Sequence, residues 1–213
     1  MSGRISAADV VRSTNGVPDA AISRPVGVVR YSLNPQEWPR DTGTPGDDDG
    51  ESVGYGLMKL AGAIGEDREA IRGAVSRLRS PGIHGVRTIG ETGLQAWLPH
   101  TPGEAPSGRE RYFSFDMLST TEQLRLGLEL AIAIASQRAR DQPTLFIVDD
   151  LGFVFDETWT RYVYELLAQP ALPFQVVLLA LRPPPEDVAP RWVQARLMGQ
   201  DPSVTLEQRL PLD

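Results

Sequence analysis

From residue 55 onward the apolar positions recur with helix or strand periods, whereas residues 1–54 carry Pro, Gly, Ser and Asp with little periodicity. In GYGLMKLAGAIG (54–65), Leu57, Leu60, Ala61 and Ile64 share one helical face, and Gly65 supplies a stop. In EDREAIRGAVSRLRS (66–80), Ala70, Ile71, Ala74, Val75 and Leu78 define a second face, broken at Pro81-Gly82. GVRTIGETGLQAWLP (85–99) predicts two strands joined at Gly90-Glu91-Thr92-Gly93. PTLFIVDD (143–150) is an apolar run bounded by a proline and two acids, the pattern of a buried parallel strand. DETWTRYVYELLAQ (156–169) predicts a helix capped by Asp156, with Trp159, Val163, Leu166 and Leu167 facing inward. PFQVVLLAL (173–181) is a second buried strand, VGVVRYSL (26–33) a short one, and SVTLEQRL (203–210) a last edge strand.

The segment 113–137 fits two templates. Leu124, Leu126, Leu128, Leu130, Ile132 and Ile134 alternate as in a strand, but a strand of that length is far beyond the usual ~5–6 residues. The residues between them include Gly127, Ala131, Ala133 and Ala135, all small enough to bury. Read as a helix, the run puts Glu122, Arg125, Glu129 and Ser136 on one side and is apolar nearly all round, so it belongs inside a domain against a sheet. Ser119 followed three positions later by Glu122 is a capping box, which marks the start. Strand, helix, strand along 143–181 then predicts an α/β fold: a partial parallel sheet with flanking helices. The chain divides into a disordered or loosely ordered tail (1–54), a helix–helix–hairpin segment (55–98) and an α/β domain (112–213), joined by a loop.

Composition narrows the chemistry. The 213 residues are 41% apolar, enough for a real core, and the net charge of −7 argues against a strong sequence-independent grip on nucleic acid. Without cysteine there are no disulfides or thiolate metal sites, and His84 and His100 lack a second ligand at metal spacing. Arg125 and Glu129 interrupt the longest candidate membrane span, and no signal peptide is evident. These features predict a cytoplasmic protein with no membrane partner. A capped helix N-terminus offers free N–H groups and positive dipole to an anion, while paired acids at the carboxyl end of a parallel strand can hold Mg²⁺.

LSTTEQLRLGLELAIAIA (118–135) resembles the signature segment of ABC-type ATPases, particularly the SMC-like and RecF/RecN-like branch, and TLFIVDDLGFVFD (144–156) resembles that family's Walker B strand and D-loop. The resemblance spans 113–182. It implies that Ser119, Thr120, Thr121 and Glu122 lie beside the γ-phosphate of ATP bound by an opposing subunit. It further implies that Asp149 holds Mg²⁺, that Asp150 stands at the catalytic acid position, and that Asp156 is the D-loop acid at a dimer interface. Three departures accompany it. No G-x-x-x-x-G-K-[ST] cradle exists in the chain, Thr121 replaces a signature glycine, and the strand ending VVLLALRPPP lacks the switch histidine. The implied protein is the C-terminal lobe of an ABC ATPase head that binds ATP and Mg²⁺ only in a composite site. Its partner is a P-loop-bearing ATPase subunit or a second copy, and alone it is not expected to hydrolyse ATP. Residues 55–98 also resemble a winged helix-turn-helix, which implies DNA contacts from Arg72, Arg77 and Arg79. On that alternative the chain is a DNA-binding regulator with a non-catalytic α/β domain; a third reading is an interaction module with vestigial ATPase ancestry.

Overall fold

The computed structural model describes residues 25–34, 38, 56–80, 82–99, 104–105, 111–151, 156–197 and 204–207, with only the backbone for 150, 151, 194–197 and 204–207. It is a mixed α/β fold. The elements run β1 (Gly27–Ser32), α1 (Gly56–Ile64), α2 (Arg68–Arg77), β2 (Gly85–Ile89), β3 (Gly93–Trp97), β4 (Phe113–Ser114), α3 (Thr120–Arg138), β5 (Thr144–Leu151), α4 (Glu157–Leu167), β6 (Gln175–Ala180), β7 (Gln194–Leu197) and β8 (Val204–Glu207). A three-stranded parallel sheet has the order β1-β5-β6. A separate antiparallel sheet has the order β2-β3-β4, and β7 pairs with β8 in a two-stranded ribbon.

The ambiguous run is a helix over Thr120–Arg138. Its burial explains why strand-like alternation does not decide its structure: Leu124, Leu126, Leu128 and Leu130 are all at most 2% exposed, and Ala131 and Ala135 are fully buried beside them. With both apolar and small positions in the core, period two and period 3.6 coexist, and the capping box and length break the tie. Gly127 sits mid-helix at a cost in propensity because the Tyr31 ring of β1 lies where its Cβ would be, and the Tyr31 hydroxyl donates to the Leu124 carbonyl at 2.8 Å. Arg138, at the other end of α3, donates to the Val28 carbonyl at 2.9 Å. The helix therefore runs antiparallel to β1, with its N-terminus at the carboxyl end of the sheet.

The sheet has two unlike faces. Val29, Tyr31, Phe146 and Val148 are at most 1% exposed and pack in the core with α3. On the opposite face, in register, Val28, Val177 and Leu179 remain 41–47% exposed.

One expectation needs correction. The strand within 26–33 does not belong to a loose tail: β1 pairs along its whole length with β5, and Trp38 just beyond it is buried, donating to the Ser32 carbonyl at 3.0 Å. Six residues between Pro-rich flanks give too short a pattern to announce a partner so distant in sequence. The last strand, expected at 203–210, is β8 and pairs antiparallel with β7. The expected disorder of 1–24, 35–37 and 39–54 lies outside the described residues. The middle segment follows its predicted order, with Gly65 at φ +73° ending α1 and Gly90 at φ +56° in the hairpin turn. It shares one hydrophobic core with the rest, through Leu57, Leu60, Ile71, Leu94 and Phe115.

Candidate functional site

At the N-terminus of α3 the capping box is complete. The Ser119 hydroxyl accepts from the Glu122 N–H at 3.4 Å, and the Glu122 carboxylate accepts from the Ser119 N–H and hydroxyl, both at 2.8 Å. Ser119 and Thr120 are exposed, and Thr121 and Glu122 half-buried. The Glu122 carboxylate thus already holds the position where an incoming anion would meet the helix dipole. A phosphate at Ser119 has to displace it.

Asp149 lies near the carboxyl end of β5, the central strand, paired in register with Ser32. Its carboxylate accepts from Arg30 of β1 at 2.9 Å, on the outward face of the sheet. Asp150 follows within the strand, with only its backbone described. Asp156 caps α4, accepting from the Trp159 N–H at 2.8 Å. α3 begins and β5 ends at the same end of the sheet but on different faces: α3 lies against Tyr31, and the Asp149 carboxylate sits with Arg30 on the outward face.

Among the described residues no group of three His, Asp or Glu side chains could hold a metal, and Asp149 has a guanidinium against it. The chain has no glycine-rich phosphate cradle, and its single lysine, Lys59, pairs with Asp116 at 3.0 Å.

The arginines of the winged-helix reading are partly consumed by the fold. Arg72 donates to the Gly90 carbonyl at 2.9 Å and to the Glu91 carbonyl, fixing α2 to the hairpin turn. Arg77 donates to Gln137 of α3, and Arg79 to its neighbour's carbonyl at 2.7 Å. Ile71, Ala74 and Val75 turn the other side of α2 into the core. His84 donates through Nε2 to the Glu104 carbonyl at 2.7 Å and meets the Trp97 ring edge-on; His100 lies outside the described residues.

The sequence gives no notice of a buried polar cluster on the far side of α3. Arg125 and Glu129, 5% and 4% exposed, are covered by the 80–84 turn and by α4. The Arg125 guanidinium lies over the Trp159 ring and donates to the Gly82 and Pro99 carbonyls at 3.2–3.3 Å. Glu129 accepts from the Tyr162 hydroxyl at 2.9 Å and from Ser80, and any Cβ on Gly82 would collide with both Glu129 and Tyr162. Burial raises the Glu129 carboxyl above its usual range, raises Tyr162, and lowers Arg125 to about 10. The spacing of Arg125 and Glu129, and of Trp159 and Tyr162, marks same-face neighbours on each helix; nothing in the pattern links the two helices to each other or to the turn.

No protein-family model and no curated protein matches this chain. No described helix is long and apolar enough to cross a membrane.

Proposed function

We propose that this chain is a divergent or accessory subunit of the SMC-like ABC ATPase type, acting in the cytoplasm in DNA maintenance or defence, with a nucleotide site that is incomplete without a partner. The observation that carries the reading is that two features share one end of a parallel sheet, on its two faces: the Ser119-capped start of α3 and the Asp149-Asp150 pair closing β5. Ligands of open α/β sheets bind outside the carboxyl ends of the strands. Support for a partner comes from the sheet itself. Parallel sheets are normally covered on both faces, and this one keeps Val28, Val177 and Leu179 substantially exposed. A P-loop-bearing subunit, or a second copy joined by one, would bring the missing phosphate cradle. On this reading Ser119, Thr120 and Thr121 meet phosphate once Glu122 swings aside, Asp149 and Asp150 serve metal and water, and Asp156 lies at the junction.

The test is an ATPase assay on the purified chain with and without Asp149→Ala, alongside mass measurements with Mg-ATP and a P-loop-bearing candidate partner. The expected result is negligible turnover alone and a nucleotide-dependent complex. Robust hydrolysis by the isolated chain that vanishes in Asp149→Ala would overturn the incomplete-site reading. Failure to associate under any nucleotide condition would leave only a vestigial module.

A further inference from the structure

A concavity opens between α2 and β2. It has a volume of about 710 Å³ and is walled by Arg72 and Arg79 on one side and Arg87 and Thr88 on the other, with His84 and Tyr112 completing it. The volume falls in the range of small-ligand sites, about 300–1,000 Å³. In a chain with seven net negative charges, no Asp or Glu among the described residues lines this cavity.

The guanidiniums differ in how much of their donor capacity the fold uses. Arg72 is spent on the hairpin turn. Arg79 gives one bond to the Leu78 carbonyl, and Arg87 gives two to the Gln95 side-chain carbonyl while stacking at 4.1 Å over the Tyr112 ring. Neither Arg79 nor Arg87 has a carboxylate partner among the described residues. Each retains N–H groups in the planar fork that matches phosphate oxygens. Stacking on Tyr112 holds the Arg87 plane, and Gly85 leaves room for the Tyr112 hydroxyl, since a Cβ there would collide with it. Apolar wall is supplied by Val75, Leu78 and Ile83, and the Thr88 hydroxyl adds a neutral polar group; the Ser76 hydroxyl already donates to the Gly73 carbonyl at 2.9 Å.

We propose that this groove binds a phosphate ester of about mononucleotide size, with Arg79 and Arg87 as the phosphate-binding residues. The phosphate belongs either to a free nucleotide or to one unit of a nucleic-acid strand, and the chemistry of recognition is the same in both. The site is independent of the nucleotide end of the parallel sheet.

The experiment uses the full chain at low salt with two probes, AMP and a fluorescein-labelled twelve-residue oligothymidine, against wild type, Arg79→Glu, Arg79→Gln/Arg87→Gln and Asp149→Asn. Arg79 and Arg87 are exposed, and circular dichroism verifies that each variant folds. The expected result is saturable binding weakened roughly tenfold or more in both arginine variants, unchanged in Asp149→Asn, and weakened by added salt. Binding of AMP identifies the free nucleotide as sufficient; arginine-dependent binding of the oligonucleotide alone assigns the groove to a strand. The proposal fails if neither probe binds at about millimolar concentration, or if the arginine variants bind as wild type does. Loss confined to Asp149→Asn also overturns it, since the ligand would then sit at the sheet end.

Discussion

Gly127 and Tyr31 show how one side chain fixes a choice that helix propensity opposes. Alanine at 127 should gain about 1 kcal/mol in helix propensity, but its Cβ would fall on the Tyr31 ring in the fully buried core. Overpacking of that kind costs about 1–3 kcal/mol. Gly127→Ala is therefore expected to lower stability, and a gain in the urea midpoint would contradict the packing described. Glu129 gives a second residue-scale prediction. Burial raises its carboxyl above the ordinary 4.5, so the folded state favours the protonated form. The stability it contributes is fully present below the unfolded value and is lost as pH rises through the raised folded value. Glu129→Gln keeps a polar partner for Tyr162 and removes the buried charge, so urea unfolding between roughly pH 4 and 8 should show a flatter pH dependence than wild type. Neither residue's environment was legible from the chain: Gly127 reads only as a small position in an apolar run, and Glu129 as a polar one, until Tyr31, Tyr162 and the Ser80–Gly82 turn are seen against them.

At the scale of elements, local chemistry was the most readable. The Ser119–Glu122 box, the Asp156 cap, the stop at Gly65 and the turn at Gly90 depend on residues within a few positions of each other, and each forms as its spacing predicts. Removing the Ser119 hydroxyl should cost about 1 kcal/mol of stability by thermal or chemical unfolding. A loss near zero would show that Glu122 alone satisfies the helix end. Distant pairings were less readable. β1 joins the sheet through Val29 and Tyr31, whose burial follows from α3 lying across them, and no periodicity in six residues conveys that. β8 pairs with β7 rather than β6 because pairing partners are set by where the chain returns, which the run SVTLEQRL does not record.

For the whole molecule, the uneven parallel sheet is the decisive feature. One face is closed by α3 and the other displays Val28, Val177 and Leu179. Replacing Val177 and Leu179 together by Lys should lower the unfolding midpoint only modestly, because each is already 41–44% exposed and a lysine stem can cover the same apolar surface, while abolishing association with any partner that covers this face. Sedimentation with and without the partner checks it; a large destabilisation would mean the face is already covered. The α/β class was legible from strand, helix, strand in 143–181, and so were the residues at the sheet's carboxyl end. That the middle segment would share the same core, with Leu94 and Ile71 packed alongside Leu124, was not, because a binary pattern reports that a face is apolar and not what it meets.

The placement of β1 beside β5 also bears on how the polypeptide is made. The first strand leaves the ribosome long before residues 144–151 exist, so the parallel sheet cannot zip until β5 has been made, whereas α1, α2 and the β2–β3 hairpin can form from neighbours at once. A nascent chain halted before β5 would hold Val29 and Tyr31 without a strand to pair them, and a gene trimmed to begin at residue 55 would ask β5 to stand with one neighbour only.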